Sequence, residues 1–374
     1  MTGCGRGTFR WPTRIRSASA GLTHHRPRSR SSGRYMTSSE ALSVRRSHMS
    51  FNEIAGHERP RSILMRAVEN QRLAHAYLFS GEKGIGKRMT AFALAAAVNC
   101  EQRGPDGGCG ICPACRKAAS LGHPDIHLIE ADGAEIKIDQ IRQAQADLAL
   151  KPFEGAKKVL IVDEAENMNE ASANAFLKTL EEPPGEVLIM LVSSLPQRLP
   201  LTIRSRCQEI RFHPLSRQAL SQVIAKQRGL HDEDARFIAA LARGSMGRAL
   251  VLDAMEEKAG REELVRFWSN LPSLSDGEIL SQAEAYGKDR ERLERFFDVA
   301  VEWLRDVLVF RATGDENLLV HGQSRDLLRA WSERFSVQRM LNDVDILTQY
   351  RGLLQRRVSA QLVAENLFLK LARA

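Results

Sequence analysis

Between residue 51 and about residue 212 the hydrophobic pattern switches back and forth between two periods. Continuous apolar runs rich in branched side chains, at 158–162 and 187–192, predict central strands covered on both faces. A shorter run at 76–79 predicts another strand, ending in a glycine-rich turn, with a helix following over 87–98. Residues 125–130 (Asp-Ile-His-Leu-Ile-Glu) read as a further strand and 208–212 as a last one. Ile138-Asp139-Gln140-Ile141-Arg142 predicts a helix start with Asp139 as its N-cap. Ala173, Phe176, Leu177 and Leu180 recur at helical spacing and give one helix an apolar face, which Pro183-Pro184-Gly185 brings to an end. Strands alternating with helices imply an α/β fold: a mostly parallel sheet, joined by right-handed crossovers, in a three-layer domain.

After Pro214 the strand pattern stops. Residues 215–272 predict several short helices with a Gly-Ser-Met-Gly break at 244–247, and Leu271-Pro272-Ser273 marks a boundary. Residues 276–374 are helical again. There Leu293, Phe296, Phe297, Ala300, Val301, Leu304, Val307 and Leu308 trace a long stripe that predicts the core of a helix bundle. The expected division is an extension at 1–50, an α/β domain at 51–213, a small helical domain at 214–273 and a second helical domain at 274–374. No internal repeat is evident.

The chain has 374 residues, enough for two or three domains, and 43% of them are hydrophobic. No run approaches the roughly 18–20 apolar residues that span a bilayer, so a soluble, cytoplasmic protein is expected. The net charge of +8 suggests nucleic acid, but its distribution does not. Residues 1–50 carry ten arginines against Glu40 alone, whereas the remaining 324 residues hold 44 basic and 45 acidic side chains. The body is therefore nearly neutral, and any DNA contact there must come from a local patch. The first 50 residues, rich in Arg, Ser and Gly without a sustained period, are expected to be disordered. They read either as a basic or targeting arm or as the product of a wrongly assigned start, the true one being Met36 or Met49.

Candidate chemistry begins at Gly81-Glu82-Lys83-Gly84-Ile85-Gly86-Lys87-Arg88, between a predicted strand and a predicted helix. This is the context of a phosphate-binding loop: backbone N–H groups approach phosphate oxygens, the helix N-terminus favours negative charge, and Lys87 reaches toward the outer phosphates. The position after the lysine should be Ser or Thr, whose hydroxyl binds Mg²⁺. Here it is Arg88, which offers no acceptor and repels a metal. Thr90 lies two residues further on and points elsewhere. Val159-Leu160-Ile161-Val162-Asp163-Glu164 reads as a strand ending in two carboxylates. Two roles remain open for Asp163 and Glu164. They hold Mg²⁺ and polarise water in a working site, or they pair with Arg88 or Lys87 as a structural ion cluster. Bound nucleotide and a loop retained only as a fold element likewise both remain open, so ATP and Mg²⁺ are doubtful ligands.

Cys100, Cys109, Cys112 and Cys115 follow a C-x8-C-x2-C-x2-C spacing, with glycines and prolines suited to knuckle turns. Without a secretory signal this argues for metal over disulfides, and four thiolates suit tetrahedral Zn²⁺. No general base is nearby, so a structural zinc is expected. His123 is a weaker substitute ligand, and iron–sulfur ligation is the rival.

Together these residues resemble the clamp-loader branch of the AAA+ superfamily, over about 51–212. His75-Ala76-Tyr77-Leu78-Phe79-Ser80-Gly81, the cysteine module, Asn174-Ala175-Phe176-Leu177-Lys178-Thr179-Leu180-Glu181-Glu182-Pro183-Pro184 and Leu199-Pro200-Leu201-Thr202-Ile203-Arg204-Ser205-Arg206-Cys207 carry the likeness. It implies a P-loop AAA+ domain followed by a helical lid and a helical collar. It also implies that Arg206 acts in trans as an arginine finger on a neighbour's ATP; the plainer reading is a salt-bridged surface arginine. Ser193 or Ser194 falls where the family senses the outer phosphate. Arg248 lies near the lid's sensor position, which Gly247 occupies instead. A defective loop beside an intact finger implies an accessory subunit rather than a motor. Its implied partners are motor (gamma or tau) and delta subunits in a hetero-pentamer, the sliding clamp, and primed DNA through the complex. The readings set against it are an ATP-hydrolysing motor subunit and a module that binds DNA directly.

Overall fold

The computed structural model describes residues 50–315, 318–322, 324–356 and 358–373. The expected extension before Ser50, with Cys4, lies outside them.

Five parallel strands form one sheet: β1 (Ala76–Ser80), β2 (Ile126–Ile129), β3 (Lys158–Val162), β4 (Val187–Ser193) and β5 (Gln208–Arg211). Their spatial order is β2-β3-β4-β1-β5, so β4 inserts between β1 and β3. Register is set by the two-residue period acting on two buried faces. Tyr77, Phe79, Val159, Ile161, Leu188, Met190 and Val192 pack on one face; Leu78, Leu160, Val162, Ile189 and Leu191 pack on the other. The first face is covered by the helix Lys87–Val98, whose alanines let it lie close to the sheet. The second is covered by Ile138–Leu148 and Glu170–Glu181, with Ala173, Phe176 and Leu180 buried and Leu177 at the margin.

One expected cap is corrected. The helix begins at Ile138, so Lys137 is its N-cap and Asp139 sits inside the first turn. Gln140, three residues into the turn, folds back to accept the Lys137 N–H at 2.9 Å, the reach-back half of a capping box.

Beyond Pro214 every regular element among the described residues is helical. Arg217–Arg228, Asp232–Ala242 and Met246–Val251 enclose a small core around Leu220, Ile224, Phe237 and Ile238. The helix Ala254–Asn270 starts in that core at Ala254 and ends in the C-terminal one, where Leu264, Val265 and Trp268 are buried. It therefore links the two cores, and it ends at Asn270, just before the short 3-10 turn Leu271–Ser273. In the long helix Arg290–Thr313, six members of the expected stripe are buried, Val301 and Leu308 are partly buried, and Trp303 joins the core as well.

Candidate functional site: a self-paired phosphate loop and a four-thiol cluster

The loop between β1 and the helix Lys87–Val98 sits at the carboxyl end of the sheet, where a doubly wound fold leaves a crevice. Gly81 has φ +143, and a Cβ there would stand 2.5 Å from the Phe212 carbonyl oxygen. Only glycine lets β5 and the loop approach so closely.

The loop's cations are already engaged. Lys87 is 4% exposed, and its Nζ donates to the carbonyls of Gly81 and Glu82, both at 2.6 Å, and to Ser194 Oγ at 3.3 Å. Burial pulls its ammonium down to about 8, against the raising effect of Glu166, Asp163 and Glu164. Arg88 donates to Asp163 Oδ2 at 2.7 Å and also to Glu130. Burial lowers its affinity for a proton, but the Glu130 and Asp163 contacts outweigh that and raise it. Glu164, in the left-handed region at φ +48, pairs with Lys83 at 2.5 Å. Asp163 thus pairs with Arg88, while Glu164 pairs with Lys83 and not with Lys87. Thr90 is buried and donates to the Gly86 carbonyl at 3.0 Å, so its hydroxyl stays within its own helix.

Several participants were not legible in the sequence. Glu130 follows β2 and meets Arg88 only because β2 lies beside β3. Glu166 accepts the Ser194 N–H at 2.9 Å. Of the two candidate serines, Ser194 touches Lys87, while Ser193 is buried and accepts the Leu195 N–H at 3.2 Å. The start of the helix Met246–Val251 seats on the loop: Gly247 N–H donates to the Gly84 carbonyl at 2.8 Å, and Ser245 Oγ donates to the Lys83 carbonyl at 3.1 Å. Arg248 itself is exposed, and among the described residues no ion pair reaches it.

Arg206 lies on the turn between Leu201–Arg204 and β5, far from its own phosphate loop in sequence. Its guanidinium pairs with Glu181 at 2.7 Å and donates to the Thr202 carbonyl at 2.9 Å.

The cysteine module packs against the start of the fold, where Phe51 covers Gly107. The ligand atoms of Cys100, Cys109, Cys112 and Cys115 all lie within 4.8 Å of one another. A tetrahedron with Zn–S bonds of about 2.3 Å needs sulfurs about 3.8 Å apart, so the donor set fits. The N–H groups of Cys109, Cys112 and Cys115 donate to the sulfurs of Cys100, Cys109 and Cys112 at 3.2, 3.3 and 3.4 Å, while burial pushes the Cys100 and Cys115 thiols up. Such N–H groups hold the Cys109 thiol down at about 6. His123 stands apart from this group: its Nδ1 accepts the Asp125 N–H at 3.1 Å, and its Nε2 faces Glu154 at 3.7 Å.

No helix of the described residues is long and apolar enough to cross a membrane. The family model described as "DNA polymerase III, delta subunit" matches residues 56–216. The DNA polymerase III subunit delta' of Bacillus subtilis (strain 168) is 30% identical over 313 residues, covering 83% of this chain and 94% of that protein. Its Pseudomonas aeruginosa counterpart is 33% identical over 281 residues, covering 74% of this chain and 85% of its own length. DNA polymerase III subunit tau of B. subtilis is 31% identical over 326 residues, but the match spans only 57% of that longer protein. Near-complete coverage of the delta' proteins at these identities settles the assignment: the chain belongs to the DNA polymerase III delta' subunit family.

Proposed function

We propose that this chain is an accessory subunit of the DNA polymerase III clamp loader that does not hydrolyse ATP in its own site. The observation that carries this reading is the Arg88 guanidinium beside Asp163, 2.7 Å from the carboxylate that Mg²⁺ would need. A cation in the place of the metal-binding hydroxyl, paired to the acid, leaves no vacancy for the ion that neutralises charge in phosphoryl transfer. Gly81, Gly84, Gly86, Lys87, Asp163 and Glu164 then serve as a fold element. Phosphates would enter only by displacing the contacts that Lys87 makes with its own loop.

In this reading Arg206 is the catalytic group, offered in trans to a neighbouring gamma or tau subunit's ATP. The chain assembles with those motors and with delta in a hetero-pentamer that opens the sliding clamp on primed DNA. The segments 51–213, 214–273 and 274–374 act as AAA+ domain, lid and collar. Cys100, Cys109, Cys112 and Cys115 would hold a structural zinc, which ties the knuckle to the first domain and takes no part in chemistry.

ATP turnover of the purified chain, alone and then mixed with its motor and delta subunits, tests the proposal. The expected result is no turnover alone and clamp- and DNA-stimulated turnover in the mixture. Robust Mg²⁺-dependent turnover by the isolated chain would make it a motor subunit and end the proposal.

A further inference from the structure

The pairing of Arg206 with Glu181 has no obvious value for stability, and this points to a different use. The two side chains are 36% and 50% exposed, and surface pairs of that kind contribute little to folding. Glu181 is also in an unfavourable place. It is the last residue of the helix Glu170–Glu181, with Glu182 as the C-cap, so two carboxylates stand at the end that already carries partial negative charge. Lys178 is the basic residue of that last turn. An acid at this end is tolerated best where an external cation faces it, and Arg206 is that cation.

The contacts divide the guanidinium between two elements. One terminal nitrogen donates to Thr202 O at 2.9 Å and Ser205 Oγ at 3.4 Å, on its own turn. The other pairs with Glu181 across the gap to the neighbouring helix. The planar fork carries more N–H donors than these contacts use, so a further edge is free for an anion.

We propose that Glu181 is a positioning residue for Arg206: it braces the guanidinium from its own subunit, so that the remaining donors are already oriented toward the phosphate of a neighbouring subunit. The inference rests on the reading of Arg206 as a finger in trans. An arginine that is fixed before assembly loses less side-chain freedom when it engages. Because the brace acts on orientation, it affects turnover and not nucleotide affinity.

The test uses the clamp loader reconstituted from full-length chains, with clamp- and DNA-stimulated ATP turnover as the readout. Glu181→Gln is expected to lower turnover at the affected motor site by roughly two- to fivefold, with KM for ATP and assembly unchanged. Glu181→Asp should restore part of the loss. Glu182→Gln, the same charge change one residue along, should have no effect. In an Arg206→Ala background, Glu181→Gln should cost nothing further. Normal turnover with Glu181→Gln, while Arg206→Ala is impaired, would sink the brace and leave the finger standing. Normal turnover with Arg206→Ala would remove both. A rise with Glu181→Gln would mean that the acid withholds the fork, which overturns the proposal in the opposite sense.

Discussion

Replacing Arg88 separates a cation that closes the phosphate site by pairing from one that merely fills space. Arg88→Met keeps the stem near Phe92, whose ring centre lies 5.7 Å from the guanidinium carbon, and removes only the fork. Asp163, 14% exposed, is then left with the Glu164 N–H at 3.0 Å as its remaining donor. Deleting one member of a fully buried ion pair costs about 3–5 kcal/mol. Glu130 is 47% exposed and admits water on its side of the cluster, so about 2 kcal/mol is the expected cost here. For a cooperative unit of roughly 150–250 residues that corresponds to about 4–8 °C in Tm. The double variant Arg88→Met/Asp163→Asn removes the orphaned charge as well as its partner. It should regain at least half of the loss, a coupling of at least about 1 kcal/mol in the four-variant cycle. Differential scanning calorimetry of the full chain reads all four states. If Arg88→Met leaves Tm within about 1 °C, or the two losses simply add, the pair is not what holds the site shut.

Three further predictions concern other charged groups and the thiols. Burial pushes the Asp125 carboxyl up, but the N–H groups of Phe153, Glu154 and Gly155, together with Lys158, hold it below the usual range. Its contribution is therefore present above the unfolded pKa of about 4 and is lost as pH falls through the folded value, so Asp125→Asn should flatten the acid limb of urea-unfolding midpoints. Lys87 is held at about 8, well below the unfolded value of about 10.5, so between those values the unfolded chain binds the extra proton and stability rises with pH. Lys87→Met should remove that rise in denaturant titrations across the same window. Elemental analysis should find one zinc per chain, and Cys112→Ser should lose it and lower Tm; iron, or no metal, would refute the assignment.

What could be read from the sequence was whatever is local. The apolar runs at 158–162 and 187–192 declare buried strands because both faces of a central strand are covered, and the glycines with Lys87 declare the loop because its geometry is encoded within eight residues. The cysteines cluster as their spacing requires. What escaped depends on strand order. Glu130 is an unremarkable acid after an edge strand until β2 is laid beside β3. The Asp139 cap is the exception, a local misreading: the helix begins before that residue, at Ile138, so Asp139 already lies inside the first turn. The contact between Arg206 and Glu181 joins two segments whose proximity no periodicity announces.

The seating of Gly247 on Gly84 has a mechanical consequence. A Cβ added to Gly247 would stand 3.1 Å from Gly84 Cα, so the two segments meet as bare backbone. The Ser245 hydroxyl, a short side chain, adds its own bond to the Lys83 carbonyl beside this backbone contact. The helical segment is thus plugged into the loop as into a socket. Even a methyl group at position 247 would press on the loop backbone and push Gly84 slightly back, so the seat holds only while that position carries no side chain.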